Sequence, residues 1–264
     1  NTTSKQFMSY EHKDFCFCTL ALRDKYRLLA QQLASDLEKY APGTKLLVLT
    51  DEPRCFQDNA NVLAFQHRQH GILHCYHDKS ILMETALSKF STAIHIDADT
   101  RILATLPDNL HWKPGITAGH YENLVEHVTK YNPERLQPLQ KVASHLNIDL
   151  QTVTYIGESL FIITRDNGRE VDYLKYWAMI GRYLELRGIH AGAGNAMGIA
   201  ATKVGWTISQ DNWQEIKDVI HHTDASYSNK QKSSWEKLQR RIGYHYRLNL
   251  ARIMALKNAK FYYN

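Results

Sequence analysis

The chain has no run approaching ~18 uninterrupted apolar residues, so no segment reads as a bilayer-spanning helix. Its first fourteen residues are polar and lack the apolar core of a secretory signal. There are 6 prolines among 264 residues, and no low-complexity linker marks a domain boundary before about Thr223. No internal repeat is present. Cysteine is limited to Cys16, Cys18, Cys55 and Cys75, with no Cys-x-x-Cys pair, so buried reduced thiols are expected and with them a cytoplasmic location. The Asn1-Thr2-Thr3 match to a glycosylation acceptor is read as chance at a terminus. The glycine-rich stretch from Gly188 to Ala201 has no Gly-Lys-Ser/Thr and lies late in the chain, which excludes a Walker loop and a dinucleotide fingerprint. Close backbone packing is its expected purpose.

What is present fits one large domain with an appendage. A hydrophobic content of 44% against 22% charged residues supplies an ample core for 264 residues. The net charge of +5 is unevenly spread: residues 226–264 hold nine Lys or Arg against Glu236, or +8, which leaves −3 for the rest. A domain over 1–225 and a basic, helical extension over 226–264 are therefore expected.

Apolar runs at 15–22 and 45–51, a third near 61–65 and a fourth at 91–97 read as buried strands. Helical stripes fall between them, over 23–40 and 78–90, with Asp78 as the expected N-cap of the second. Strands alternating with helices imply a mostly parallel central sheet covered on both faces. Further on, 116–121 reads as a short strand, 133–146 as a helix, 152–164 as an apolar strand interrupted by Gly157-Glu158-Ser159, and 171–186 as a helix. Such sheets bind ligands beyond the carboxyl ends of their strands. Leu22-Arg23, Asp51 and Asp97 fall there.

The sharpest signal is Asp97-Ala98-Asp99-Thr100, where the fourth run surfaces. Acids at i and i+2 project to one side of an extended backbone and can share a divalent cation. His221 and His222 offer an imidazole late in the chain, and two carboxylates with one imidazole suit Mn2+, whereas Mg2+ prefers all-oxygen sites. Glu158 is an acid amid Tyr155, Ile156, Leu160 and Phe161, costly to bury unpaired, so a cleft position is expected.

In order along residues 15–225, these motifs resemble a nucleotide-sugar-dependent glycosyltransferase of the GT-A fold. Residues 15–21 resemble its nucleotide-binding strand. The stretch from Asp78 to Leu87 resembles the helix before the metal strand, with Lys79 where a basic residue meets the donor. Ile94 to Thr100 resembles the Asp-x-Asp strand, Tyr155 to Ile163 the acceptor-side strand, and Val219-Ile220-His221 the late histidine of glycogenin-like retaining families. Where those families carry an acid, this chain reads Gly192-Ala193-Gly194-Asn195, which leaves the stereochemical outcome open, with retention slightly favoured. The resemblance implies a nucleoside-diphosphate donor, first a UDP-sugar, a glycan or lipid-linked acceptor, a Mn2+ or Mg2+ cofactor, and Glu158 or Asn195 acting on the sugar. Nucleic acid is not an expected partner.

Two rival readings differ in chemistry. A metal-dependent nucleotidyltransferase would carry a glycine-rich loop after the first strand, and 19–26 has no glycine. A non-catalytic module could hold a nucleotide or polyanion through the basic tail. From Ser234 onward, Trp235, Leu238, Ile242, Tyr246, Leu250 and Ile253 recur at three- or four-residue steps, as on one face of a helix. Packing of that stripe against the main domain is the expectation, with peripheral contact to an anionic membrane as the alternative.

Overall fold

The computed structural model describes residues 13–223 and 233–263. The Asn1-Thr2-Thr3 match, the boundary at 225/226, Lys230 and Lys232 lie outside the described residues. The chain is an α/β protein. It opens with β1 (Phe15–Ala21), α1 (Asp24–Tyr40), β2 (Lys45–Thr50) and β3 (Val62–Gln66). Next come α2 (Lys79–Leu87), β4 (Thr92–Ile96), β5 (Thr100–Ile102), β6 (Gly115–Thr117) and β7 (Tyr121–Asn123). Two helices, α3 (Leu124–Tyr131) and α4 (Leu136–His145), lead to β8 (Thr154–Ile156) and β9 (Leu160–Thr164). Then follow α5 (Arg169–Glu185), α6 (Ala193–Lys203), β10 (Ile208–Ser209), α7 (Trp213–Val219), β11 (Ile220–His222) and α8 (Ser234–Ala255).

Seven strands form the central sheet in the order β10-β6-β9-β4-β1-β2-β3. Strands β3, β2, β1 and β4 are parallel, and β9 runs antiparallel to both of its neighbours. The chain adds β2 and β3 on one side of β1, then crosses to place β4 on the other. The crevice at the carboxyl ends of β1 and β4 is thus a topological switch point, where open α/β sheets leave room for a ligand.

Period-two alternation divides the core. Phe17, Leu46, Val48 and Ile94 face α1 through Leu33 and Leu37, while Cys16, Cys18, Leu47 and Ala93 face α2 and α5 through Leu82, Met83 and Trp177. Cys16 and Cys18 are buried as expected, and burial pushes the Cys16 thiol up to about 12. Cys55 departs from expectation: it is exposed in the turn after β2. The glycines of α6 serve close packing. A Cβ on Gly194 would lie 2.1 Å from the Ile156 carbonyl oxygen, and one on Gly198 2.0 Å from that of Thr154. The helix therefore rides directly on the β8 backbone.

Three further expectations are corrected. The 152–164 stretch is two strands in two sheets: β8 pairs with β7, and β9 enters the central sheet. Asp78 does not cap α2; its carboxylate accepts the His70 and Gly71 N–H groups at 2.8 Å each and meets His67 Nε2 at 2.9 Å. It holds the 67–71 loop instead. The apolar stripe of α8 does not pack inward. Trp235, Ile242, Tyr246 and Ile253 are 64%, 61%, 69% and 64% exposed. The face opposite, with Tyr244, Arg247, Ala251 and Ala255, meets the domain: Arg247 Nε donates to the Ile72 carbonyl at 3.0 Å, and Ala251 and Ala255 are buried. Small residues let the helix approach closely, so contact falls on the less hydrophobic face.

Candidate metal centre and ligand cavity

Strand β4 ends in a tight turn in which the Thr100 N–H donates to the Asp97 carbonyl at 3.0 Å. This turn, not strand alternation, brings Asp97 and Asp99 together. Strand β5 then leaves antiparallel to β11, with His221 opposite Arg101 and His222 opposite Thr100. The ribbon is anchored at both edges. Buried Asp36 of α1 accepts Arg101 Nε at 2.6 Å and the Ile102 N–H at 3.1 Å, and Thr223 donates its N–H and hydroxyl to the Asp99 carbonyl at 3.0 and 2.6 Å. Alternation along β11 then selects the histidine. His222 Nδ1 lies 3.4 Å from Asp99 Oδ1, and His221 falls outside the cluster.

Asp97, Asp99 and His222 offer three ligand atoms within 4.8 Å of one another, the group among the described residues able to hold a metal. At bond lengths of 2.0–2.1 Å, opposed ligands lie about 4.2 Å apart, so small side-chain movements close the set on one ion. The donor chemistry fits a divalent cation, with the imidazole favouring Mn2+.

Lys79 is buried beside this group. Its Nζ donates to Asp97 Oδ1 at 3.0 Å and to the Glu158 carbonyl at 2.8 Å. Burial opposes its charge, but Asp97 and then Glu158 outweigh burial and hold its pKa above the ordinary value. The same ammonium adds to burial in driving His95 well below the usual imidazole range. His95 is therefore neutral, stacked on Phe161 at 4.7 Å, with Nε2 3.8 Å from Asp97 Oδ1.

A cavity of about 310 Å³ opens at the switch point. Leu22, Lys79, Asp97, Asp99 and His222 line it, joined by Arg23, Tyr26, His74 and Tyr76. Arg23 stands beside Leu22 at the strand end, as expected, whereas Tyr26, His74 and Tyr76 carry no signal in the sequence. Arg23 has φ 76° and ψ 156°, rare for a residue with a Cβ. The conformation aims its N–H at both Asp51 carboxylate oxygens, 3.1 Å away. Burial works against the Asp51 charge, but a bond from Arg27 and the Arg23 N–H hold its pKa below the ordinary value. Asp51 thus shapes the cavity edge through Arg23 and does not line it. Tyr26 lies close enough to Asp99 that burial and that carboxylate together raise its phenol pKa.

Glu158 and Asn195 also stand outside the lining. Glu158 is half-buried, its backbone carbonyl bonded by Lys79, and its Oε2 has no hydrogen-bond partner. Asn195 is buried in the first turn of α6, and its Oδ1 likewise has none. The same is true of Thr19, Thr44 and Asn61 elsewhere in the fold, so this feature alone does not mark either residue as functional.

Fold and site together define an α/β domain with a ligand crevice at its switch point and an acidic, metal-competent cluster in the crevice wall. No family model matches the chain, and no curated protein matches its sequence. Among solved structures it is similar to that of the WbbM bifunctional glycosyltransferase in its apo form, with 12% identity over 76% of this chain and a TM-score of 0.45. The chain spans 39% of the length of that protein.

Proposed function

We propose that this chain is a metal-dependent glycosyltransferase that moves a sugar from a nucleoside-diphosphate donor to a hydroxyl acceptor. The observation that carries the reading is the convergence of Asp97, Asp99 and His222 in the wall of a cavity at the β1/β4 switch point. Sugar transfer places positive charge on the anomeric carbon and negative charge on the departing diphosphate. A divalent ion held by Asp97, Asp99 and His222 supplies charge that stabilises the leaving group.

The remaining parts of the site suit the same task. Lys79 contributes a fixed positive charge in a setting where water is largely excluded, which strengthens its pull on diphosphate oxygens. Leu22, Tyr26 and Tyr76 give the cavity an apolar and aromatic wall for a nucleoside. Glu158, with one carboxylate oxygen unpartnered, is the candidate to accept the acceptor's proton in an inverting reaction. In a retaining one, Glu158 or Asn195 would stabilise the cationic sugar face.

The test is release of nucleoside diphosphate from a panel of nucleotide sugars, UDP-sugars first, with Mn2+ or with chelator. Mn2+-dependent turnover of at least one donor is expected. Glu158→Gln should lower kcat by roughly 100-fold or more with donor affinity retained. A panel in which no donor is turned over or raises the melting temperature with Mn2+ overturns the reading.

A further inference from the structure

The outward face of α8 has the composition of a surface that water does not normally cover. Trp235, Ile242, Tyr246 and Ile253 recur at the spacing of one helix face and are each more than half exposed. They stand largely opposite the residues that fasten the helix, Arg247, Ala251 and Ala255, so the stripe faces away from the domain, with Tyr246 at the margin of a cleft shared with Arg68 and His70. At 100° per residue, exposed Arg241, His245 and Arg252 form one border of the stripe. Residues 234–263 carry seven Lys or Arg and a single acid, Glu236, which is occupied in a capping box with Ser233.

We propose that this face of α8 is a docking surface for an anionic lipid bilayer. Apolar side chains at the centre of a helix face, with cations along its border, match the depth profile of a membrane interface. The rings and aliphatic chains enter the acyl boundary while guanidinium groups reach headgroup phosphates. A second copy of this chain is a poor occupant, because two helices of the same strong positive charge repel where no acid complements them. A nucleic acid would meet a hydrophobic stripe where phosphate contacts require cations.

The fastening points give the docking a consequence for the cavity. Arg247 holds the Ile72 carbonyl, and Leu73 and His74, the next residues, line the cavity wall. On the same side of the helix the Tyr244 ring meets His190 at 6.0 Å. A membrane-seated α8 therefore places the cavity about one helix diameter, ~10 Å, from the headgroups. An acceptor carried by a lipid would meet the site at that height. The docking surface stands on the helix alone and does not depend on what reaction the cavity performs.

Flotation of the full chain with phosphatidylcholine vesicles, with and without phosphatidylglycerol, tests the proposal. The protein should float with the anionic vesicles, not with neutral ones, and added salt should release it. Arg241→Glu with Arg252→Glu should weaken binding roughly 30-fold or more, and Ile242→Glu with Tyr246→Glu should abolish it. All four positions are exposed, so the variants should keep the wild-type circular dichroism and any turnover of soluble donor. That last readout separates failure of docking from failure of the catalytic reading. No flotation at low salt, or flotation unchanged by Ile242→Glu with Tyr246→Glu, overturns the proposal. A dimer in sedimentation that those substitutions dissociate also overturns it, since a second copy would then cover the stripe.

Discussion

Neutralising the two aspartates of the cluster should have unequal effects on stability and equal effects on metal binding. Asp97 is tied to the buried Lys79 ammonium at 3.0 Å; Asp99 lies beside His222 and in the field of Asp97. Breaking a fully buried ion pair by removing one charge costs about 3–5 kcal/mol. The Asp97 side chain is 30% exposed, so water already screens part of the attraction, and the amide oxygen of Asn can still accept from Nζ. About 2 kcal/mol remains for Asp97→Asn. For a chain of this size, that is a fall of roughly 4–6 °C in melting temperature. Asp99→Asn relieves repulsion between the two carboxylates and should shift stability by no more than about 1 kcal/mol. Thermal and urea unfolding of chelator-treated protein at pH 8 measures both. Mn2+ at ~100 times its dissociation constant should stabilise the wild type by about 2.7 kcal/mol and neither variant by a comparable amount. Equal stability of the two apo variants would refute the role given to Lys79. A full Mn2+ shift in either would refute the metal centre.

Two other outcomes follow from the same geometry. His222→Ala should weaken Mn2+ binding by about tenfold or more while His221→Ala leaves it unchanged, as read by metal titration; the reverse order would mean that β11 is misregistered by one residue. Glu185, which accepts the Ile72 N–H at 2.9 Å, has its carboxyl pushed up to about 7 by burial. Its folded pKa is thus above the unfolded value of 4.5, so its contribution is full below about pH 4.5 and is lost as pH rises through 7. Glu185→Gln keeps an acceptor for Ile72 and should gain up to about 3 kcal/mol over wild type at pH 8, shrinking towards zero at pH 5; urea midpoints that differ equally at both pH values would show that ionisation of Glu185 is not the cause.

Sequence pattern carried the central strands well. Strands β1, β2 and β4 are continuous apolar runs, and such runs have few alternatives in an α/β chain. Helix α3 was missed because residues 121–132 are mostly polar. Its signal was local: Asn123, whose side chain accepts the Glu126 N–H, is an N-cap followed three residues later by an acid. The stripe of α8 was legible as a period, but a period reports that a helix has an apolar face and not what covers it. Among site residues, Asp97, Asp99 and Lys79 could be placed because their strand and helix could be. Tyr26, His74 and Tyr76 reach the cavity through connections that the tertiary fold routes, and nothing in their local sequence marks them. The choice between His221 and His222 needed the register of β11 on β5, a pairing across more than a hundred residues.

That pairing has a thermodynamic meaning of its own. The third ligand of the cluster arrives on a three-residue strand, held to Asp99 by the two donors of Thr223. Two ligands sit in the turn between β4 and β5, whereas the third is present only while β11 is docked. Apparent affinity for the ion is then the intrinsic affinity multiplied by the docked fraction, so a strand docked one-tenth of the time binds about tenfold more weakly. The ion in turn shifts the docking equilibrium by the ratio of its affinities for the docked and undocked forms. Metal occupancy thereby becomes a gauge of how firmly β11 is docked on β5.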